Sequence, residues 1–73
     1  MNKLSVIIPS RNEAENLPAC ISEIIEELIK NKILHEVLVI DDGSTDNTHE
    51  VVTSMIKKYP YVRYIKNNAE NGF

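Results

Sequence analysis

The sequence predicts an α/β fold with a parallel sheet. Three observations predict it: short continuous apolar runs, stretches with apolar residues at helical spacing between them, and polar loops that end each run abruptly. Leu4 to Ile8 is β-branched and apolar without clean alternation, the pattern of a strand buried on both faces. Pro9 follows at once.

From Leu17 to Ile29 the apolar positions Leu17, Cys20, Ile21, Ile24, Ile25, Leu28 and Ile29 recur at helical offsets, with Glu23, Glu26, Glu27 and Lys30 on the other side. This predicts an amphipathic helix. Pro18 suits its first turn, and Asn31 is expected to close it in a left-handed cap. Val37 to Ile40 is a second apolar run, stopped by the polar stretch Asp41 to Thr48.

Asn47 and Glu50 have the spacing of a capping box, and Val51, Val52, Met55, Ile56 and Tyr59 then repeat at helical spacing until Pro60. A second helix is expected there. Tyr61 to Lys66 reads as a third strand and Asn67 to Phe73 as polar loop. The order strand, helix, strand, helix, strand is half of a doubly wound, Rossmann-like nucleotide-binding fold. Right-handed crossovers running one way across a sheet put both helices on one face. The other face, apolar in the first two strands, then needs a cover: later elements of a longer protein, or a second copy in a homo-oligomer.

Composition narrows the function. A chain of 73 residues makes one small domain (1–73), too short for a complete enzyme to be expected. The net charge is -3 and the Lys and Arg residues are scattered, which argues against nucleic acid as a partner. Cys20 is the single cysteine, so neither an intrachain disulfide nor a thiolate metal site is expected, and Cys20 itself reads as a small apolar helix residue. The run Val6-Ile7-Ile8 is too short for a signal peptide or a membrane span, which makes the cytoplasm the default location.

Ligands of open parallel sheets bind beyond the carboxyl ends of the strands, so the loops at Pro9 to Glu13 and Asp41 to Ser44 are the candidate site. No glycine precedes Gly43, which excludes both glycine-rich phosphate loops. Side chains must then hold a nucleotide by its base and sugar. A carboxylate only accepts hydrogen bonds, so it matches a base edge with N–H donors, uracil or guanine, better than adenine. Arg11 offers a flat cation for a base or phosphate, and Glu13 an acceptor for ribose hydroxyls.

The segments Leu4-Ser5-Val6-Ile7-Ile8-Pro9-Ser10-Arg11-Asn12-Glu13, Val39-Ile40-Asp41-Asp42-Gly43-Ser44-Thr45-Asp46-Asn47-Thr48 and Asn71-Gly72 resemble the opening motifs of family 2 glycosyltransferases, including the dolichol-phosphate mannosyltransferase group. The resemblance covers essentially the whole chain. It implies a three-layer GT-A fold of which this chain is the N-terminal βαβαβ half. It also implies that Pro9, Arg11, Glu13, Ile40 and Asp42 surround the base and ribose of a nucleoside diphosphate sugar, UDP- or GDP-linked, for inverting transfer. Members often carry a stacking Tyr where Arg11 stands. The family's Asp-x-Asp motif, which holds a divalent metal (Mg or Mn), and its general base have no counterpart before Phe73. The expectation is that this part binds donor nucleotide, binds no metal and does not catalyse transfer alone; a lipid phosphate, a polysaccharide or a small molecule each fits as acceptor, a lipid or membrane acceptor being engaged by other regions at the cytoplasmic face.

Two other readings compete. A receiver-type signalling module also gathers acids at strand ends, although after the first and third strands rather than the second. An oligomerisation domain follows from the bare sheet face alone. Several residues have plainer roles: Asp46 and Asn47 as caps, Asp41 as a brace for the turn at Gly43, and Asn12 and Glu13 as the start of the first helix, a role comparable in weight to binding and compatible with it. His35 and His49 are expected at the surface, and Tyr59, Tyr61 and Tyr64 as packing groups.

Overall fold

The computed structural model describes residues 3–67. The expected loop beyond Asn67 and the motif residues Asn71 and Gly72 lie outside them. The order is β1 (Leu4–Ser10), α1 (Leu17–Lys30), β2 (His35–Asp41), α2 (Thr48–Lys58), β3 (Val62–Lys66). The three strands form one parallel sheet in the order β1-β2-β3. That is one half of the doubly wound order 3-2-1-4-5-6; the flavodoxin and receiver order 2-1-3-4-5 would put β1 in the middle.

Register decides which side chains reach the core. Val6 pairs with Val37 and Val37 with Val62, while Ile8 pairs with Val39 and Val39 with Tyr64. These rows point to the helices. Leu17, Ile21 and Ile25 of α1 and Val52 and Met55 of α2 close over Val37, Val39 and Val62. Both helices therefore cover one face, as right-handed crossovers in one direction require. On the other face Ile7 is 58% and Ile65 45% exposed. Toward the amino ends that face is polar. Ser5 donates to Glu36 at 2.6 Å, with Lys3 and Arg63 each 3.8 Å from the same carboxylate. The Ser5 bond first, and then the two cations, hold Glu36 below the ordinary carboxylate range against the opposing effect of burial.

Four expectations change in detail. β1 runs on through Pro9 to Ser10, because Leu4 N–H and Ser10 O bond toward β2, which puts the missing N–H of Pro9, one residue out of phase, on the side away from it. The left-handed residue after α1 is Lys32 (φ 57°), not Asn31 (φ -92°). Ile33 N–H reaches Leu28 O and Lys32 N–H reaches Ile29 O, a Schellman ending set one residue later, while the Asn31 amide caps Glu27 O at 2.8 Å. Asn47 makes no side-chain cap; Asp46 accepts from the Thr48 N–H at 3.0 Å instead. His35 is buried at the start of β2, its Nδ1 2.8 Å from Ile33 O.

The core predicts a contrast along one helix. Ile21→Ala, at a position with 0% exposure, costs about 2–5 kcal/mol in denaturant unfolding. Ile29→Ala, at 57% exposure, stays within about 0.5 kcal/mol of wild type.

Candidate functional site

β1 and β2 end level with each other, since Ser10 pairs with Asp41. The ladder takes one more step, from Asp42 N–H to Ser10 O at 2.8 Å, so both loops leave from one rim of the sheet. The chain must reverse at Gly43, whose φ of 82° is readily reached only without a Cβ. Ser44 N–H donates to Asp41 Oδ1 at 2.8 Å and closes that turn.

The adjacent acids have separate environments. Asp41 is 2% exposed and accepts from Ser44 and from the Tyr64 hydroxyl. Burial pushes its pKa up, but the bonds from Ser44 and Tyr64 and the charge of Lys66 together outweigh burial and hold it below the usual range. Tyr64 in turn is pushed up to about 12, first by burial and then by the hydrogen bond to Asp41 and its charge. Asp41 is thus the brace of the turn. Asp42 is half-buried and accepts from the Asn67 amide through Oδ1 at 3.0 Å.

A cleft of about 410 Å³ opens at this rim, a volume within the range of small-molecule sites. Pro9, Arg11, Glu13 and Asp42 line it together with Ile8, Ser10, Asn16, Leu17 and Cys20. Four of the five residues singled out by sequence therefore meet in one place. Ile40 does not line the cleft: it sits between Pro9 and Ile65 in the sheet, and of these three only Pro9, on β1, reaches it. Arg11 and Glu13 are exposed, and the Glu13 carboxylate accepts from the Asn16 amide at 3.0 Å. Glu13 does not open α1, which begins at Leu17; its carbonyl accepts from Asn16 and Leu17 N–H in the turn before the helix.

Three residues at the rim have parts that the sequence did not assign. Asn12, read as helix start, adopts φ 53° and bonds across to the second loop. Ser10 is buried with its Oγ unpartnered among the described residues. Cys20 is exposed and borders the cleft rather than the core. Only Asn12 carried a usable signal, since Asn in a short polar loop is among the few residues that tolerate the left-handed region. Among the described residues no three His, Cys, Asp or Glu side chains converge, and the oxygens of Asp41 are already engaged. These residues do not make a cage for a divalent ion.

The glycosyl transferase family 2 model matches residues 5–73. The chain belongs to this family. A dolichyl-phosphate beta-glucosyltransferase of Dictyostelium discoideum is 38% identical over 76 residues, covering 94% of the chain and 23% of that relative. A dolichol-phosphate mannosyltransferase of Pyrococcus furiosus is 41% identical over 70 residues, covering 96% and 19%. The human dolichyl-phosphate beta-glucosyltransferase is 34% identical over 80 residues, covering 96% and 25%. The chain thus spans about a quarter or less of the length of these family 2 relatives. Membership sets aside the receiver reading, in agreement with the strand order.

The Asp41–Tyr64 pair has two pH limits. The lowered Asp41 adds stability that is complete above its ordinary value of 3.8 and is lost as pH falls through its lower folded value. The raised Tyr64 adds stability that is complete below 10.0 and is lost as pH rises toward about 12. Tyr64→Phe is expected to cost about 2 kcal/mol near neutral pH and to remove most of the loss between pH 10 and 12, measured by denaturant unfolding across pH.

Proposed function

We propose that this chain is the donor-nucleotide site of a glycosyltransferase that moves a sugar from a UDP- or GDP-linked donor to an acceptor with inversion. The supporting observation is that Arg11, Glu13 and Asp42 line one cleft at the carboxyl rim of a parallel sheet. Family membership supports the reaction class.

In this reading Asp42 accepts from a base N–H, in uracil or guanine. Arg11 lies against the base or pairs with a phosphate, Glu13 accepts from ribose hydroxyls, and Pro9 forms part of the wall. Ile40 acts from β2, behind Asp42, rather than from the cleft surface. The divalent metal that offsets charge on the leaving diphosphate, and the base that deprotonates the attacking hydroxyl, belong to other parts of the parent protein. This chain then binds donor without transferring sugar. The names of the relatives support a lipid phosphate acceptor, and in this reading the parent enzyme works at the cytoplasmic face of a membrane. Among the described residues no helix is long and apolar enough to cross one. The exposed Ile7 and Ile65 face is covered by further elements of the parent or by a second copy.

Titration of UDP, GDP and ADP into labelled protein checks the reading. The amides of Arg11, Glu13, Asp42 and Gly43 are expected to shift with UDP or GDP and much less with ADP, and Asp42→Ala to weaken binding by about tenfold or more. A folded sample without shifts at millimolar nucleotide contradicts it.

A further inference from the structure

The two loops of the cleft are fastened to each other by three side chains, of which Asn12 makes the most bonds, while Ser44 and Asp46 add one each. Asn12 Oδ1 accepts from Thr45 N–H at 2.8 Å, and more weakly from Thr45 Oγ1 and Asp46 N–H, each at 3.3 Å. Its own N–H donates to Ser44 Oγ at 2.9 Å, so Asn12 gives and takes across the same gap. Thr45 is 33 residues away in the chain, so no local turn dictates these bonds.

The conformation of Asn12 serves this contact. At φ 53° most side chains are strained, whereas Asn tolerates the region and keeps a short acceptor for the facing amides. Asn12 also stands between Arg11 and Glu13, both in the cleft, while the amides it holds follow closely on Asp42, the acid of the opposite wall. The ladder bond from Asp42 N–H to Ser10 O ties the loops at their roots, and the Asn12 bonds hold them together farther out, beside Arg11 and Glu13. Loose loops would have to be ordered at the moment of binding, and that entropy would be lost from affinity.

We infer that Asn12 is a positioning residue that fixes the separation of the two walls of the nucleotide cleft without itself contacting the ligand. This rests on the nucleotide reading of the cleft, and the test keeps the two separable.

Asn12→Gly keeps the left-handed backbone and removes the acceptor; Asn12→Asp keeps both. Hydrogen exchange is read at the Thr45 and Asp46 amides, with the amides of Ile21 to Leu28 in α1 as the measure of an intact fold, alongside Kd for UDP and GDP. In Asn12→Gly the Thr45 amide is expected to exchange about tenfold faster and nucleotide to bind about tenfold more weakly, with α1 exchange unchanged. Asn12→Asp is expected to restore protection of Thr45. A protected Thr45 in Asn12→Gly overturns the inference, and so does unprotected Thr45 with unchanged affinity. Wild-type protein that binds neither UDP nor GDP overturns the nucleotide reading instead, and the positioning role with it, while exchange at Thr45 still reports whether Asn12 joins the loops.

Discussion

The pairing of Ser10 with Asp41 is the constraint on which the rest of the molecule depends. Two parallel strands that end level must deliver their following loops to one rim, and the start of α1, through Leu17 and Cys20, borders the cleft there. Shifting the β1–β2 register by one residue would turn Val6 and Ile8 away from the core and carry Arg11 and Glu13 out of step with Asp42. The apolar rows that stabilise the sheet therefore also set the geometry of the cleft. Binding and folding share one determinant.

Within the rim, labour is divided between neighbours of the same chemistry. Asp41 and Asp42 are both acids, yet Asp41 is enclosed by Ser44 and Tyr64 and braces the turn, while Asp42 meets the cleft and takes a bond from Asn67. Alternation along β2 accounts for this difference: Asp41 continues the buried row of Val37 and Val39, and the next residue faces elsewhere. Asp46 adds a further brace, since its carboxylate takes Thr48 on one oxygen and Ala14 N–H, at 3.3 Å, on the other. The Thr48 hydroxyl bond comes first among the causes that keep Asp46 below its ordinary range, with burial opposing and backbone donors adding to it.

Much of this was legible in the sequence, for reasons that differ by element. The apolar runs of β1 and β2 and the helical spacing of α1 and α2 are local patterns, and they located every element, with small shifts at the ends. The placing of the cleft followed from parallel topology alone. What stayed hidden was the exact choice among neighbours at a helix end, Lys32 rather than Asn31 taking the left-handed position and Asp46 alone of the two expected caps receiving the Thr48 amide, and the tertiary contact by which Asn12 joins loops distant in sequence. Ile40 shows the converse limit. A motif resemblance places a residue near a site, but Ile40 stands one strand in from the cleft, which its register partner Pro9 lines from β1.

The central claim is that the rim joining Glu13 and Asp42 grips a nucleoside, and a crystal structure of the chain with UDP or GDP tests it most directly. The base is expected within hydrogen-bond distance of the Asp42 carboxylate, with the ribose on the Glu13 side of the cleft. Nucleotide bound on the exposed Ile7 and Ile65 face, or at the amino ends of the strands, would contradict the account.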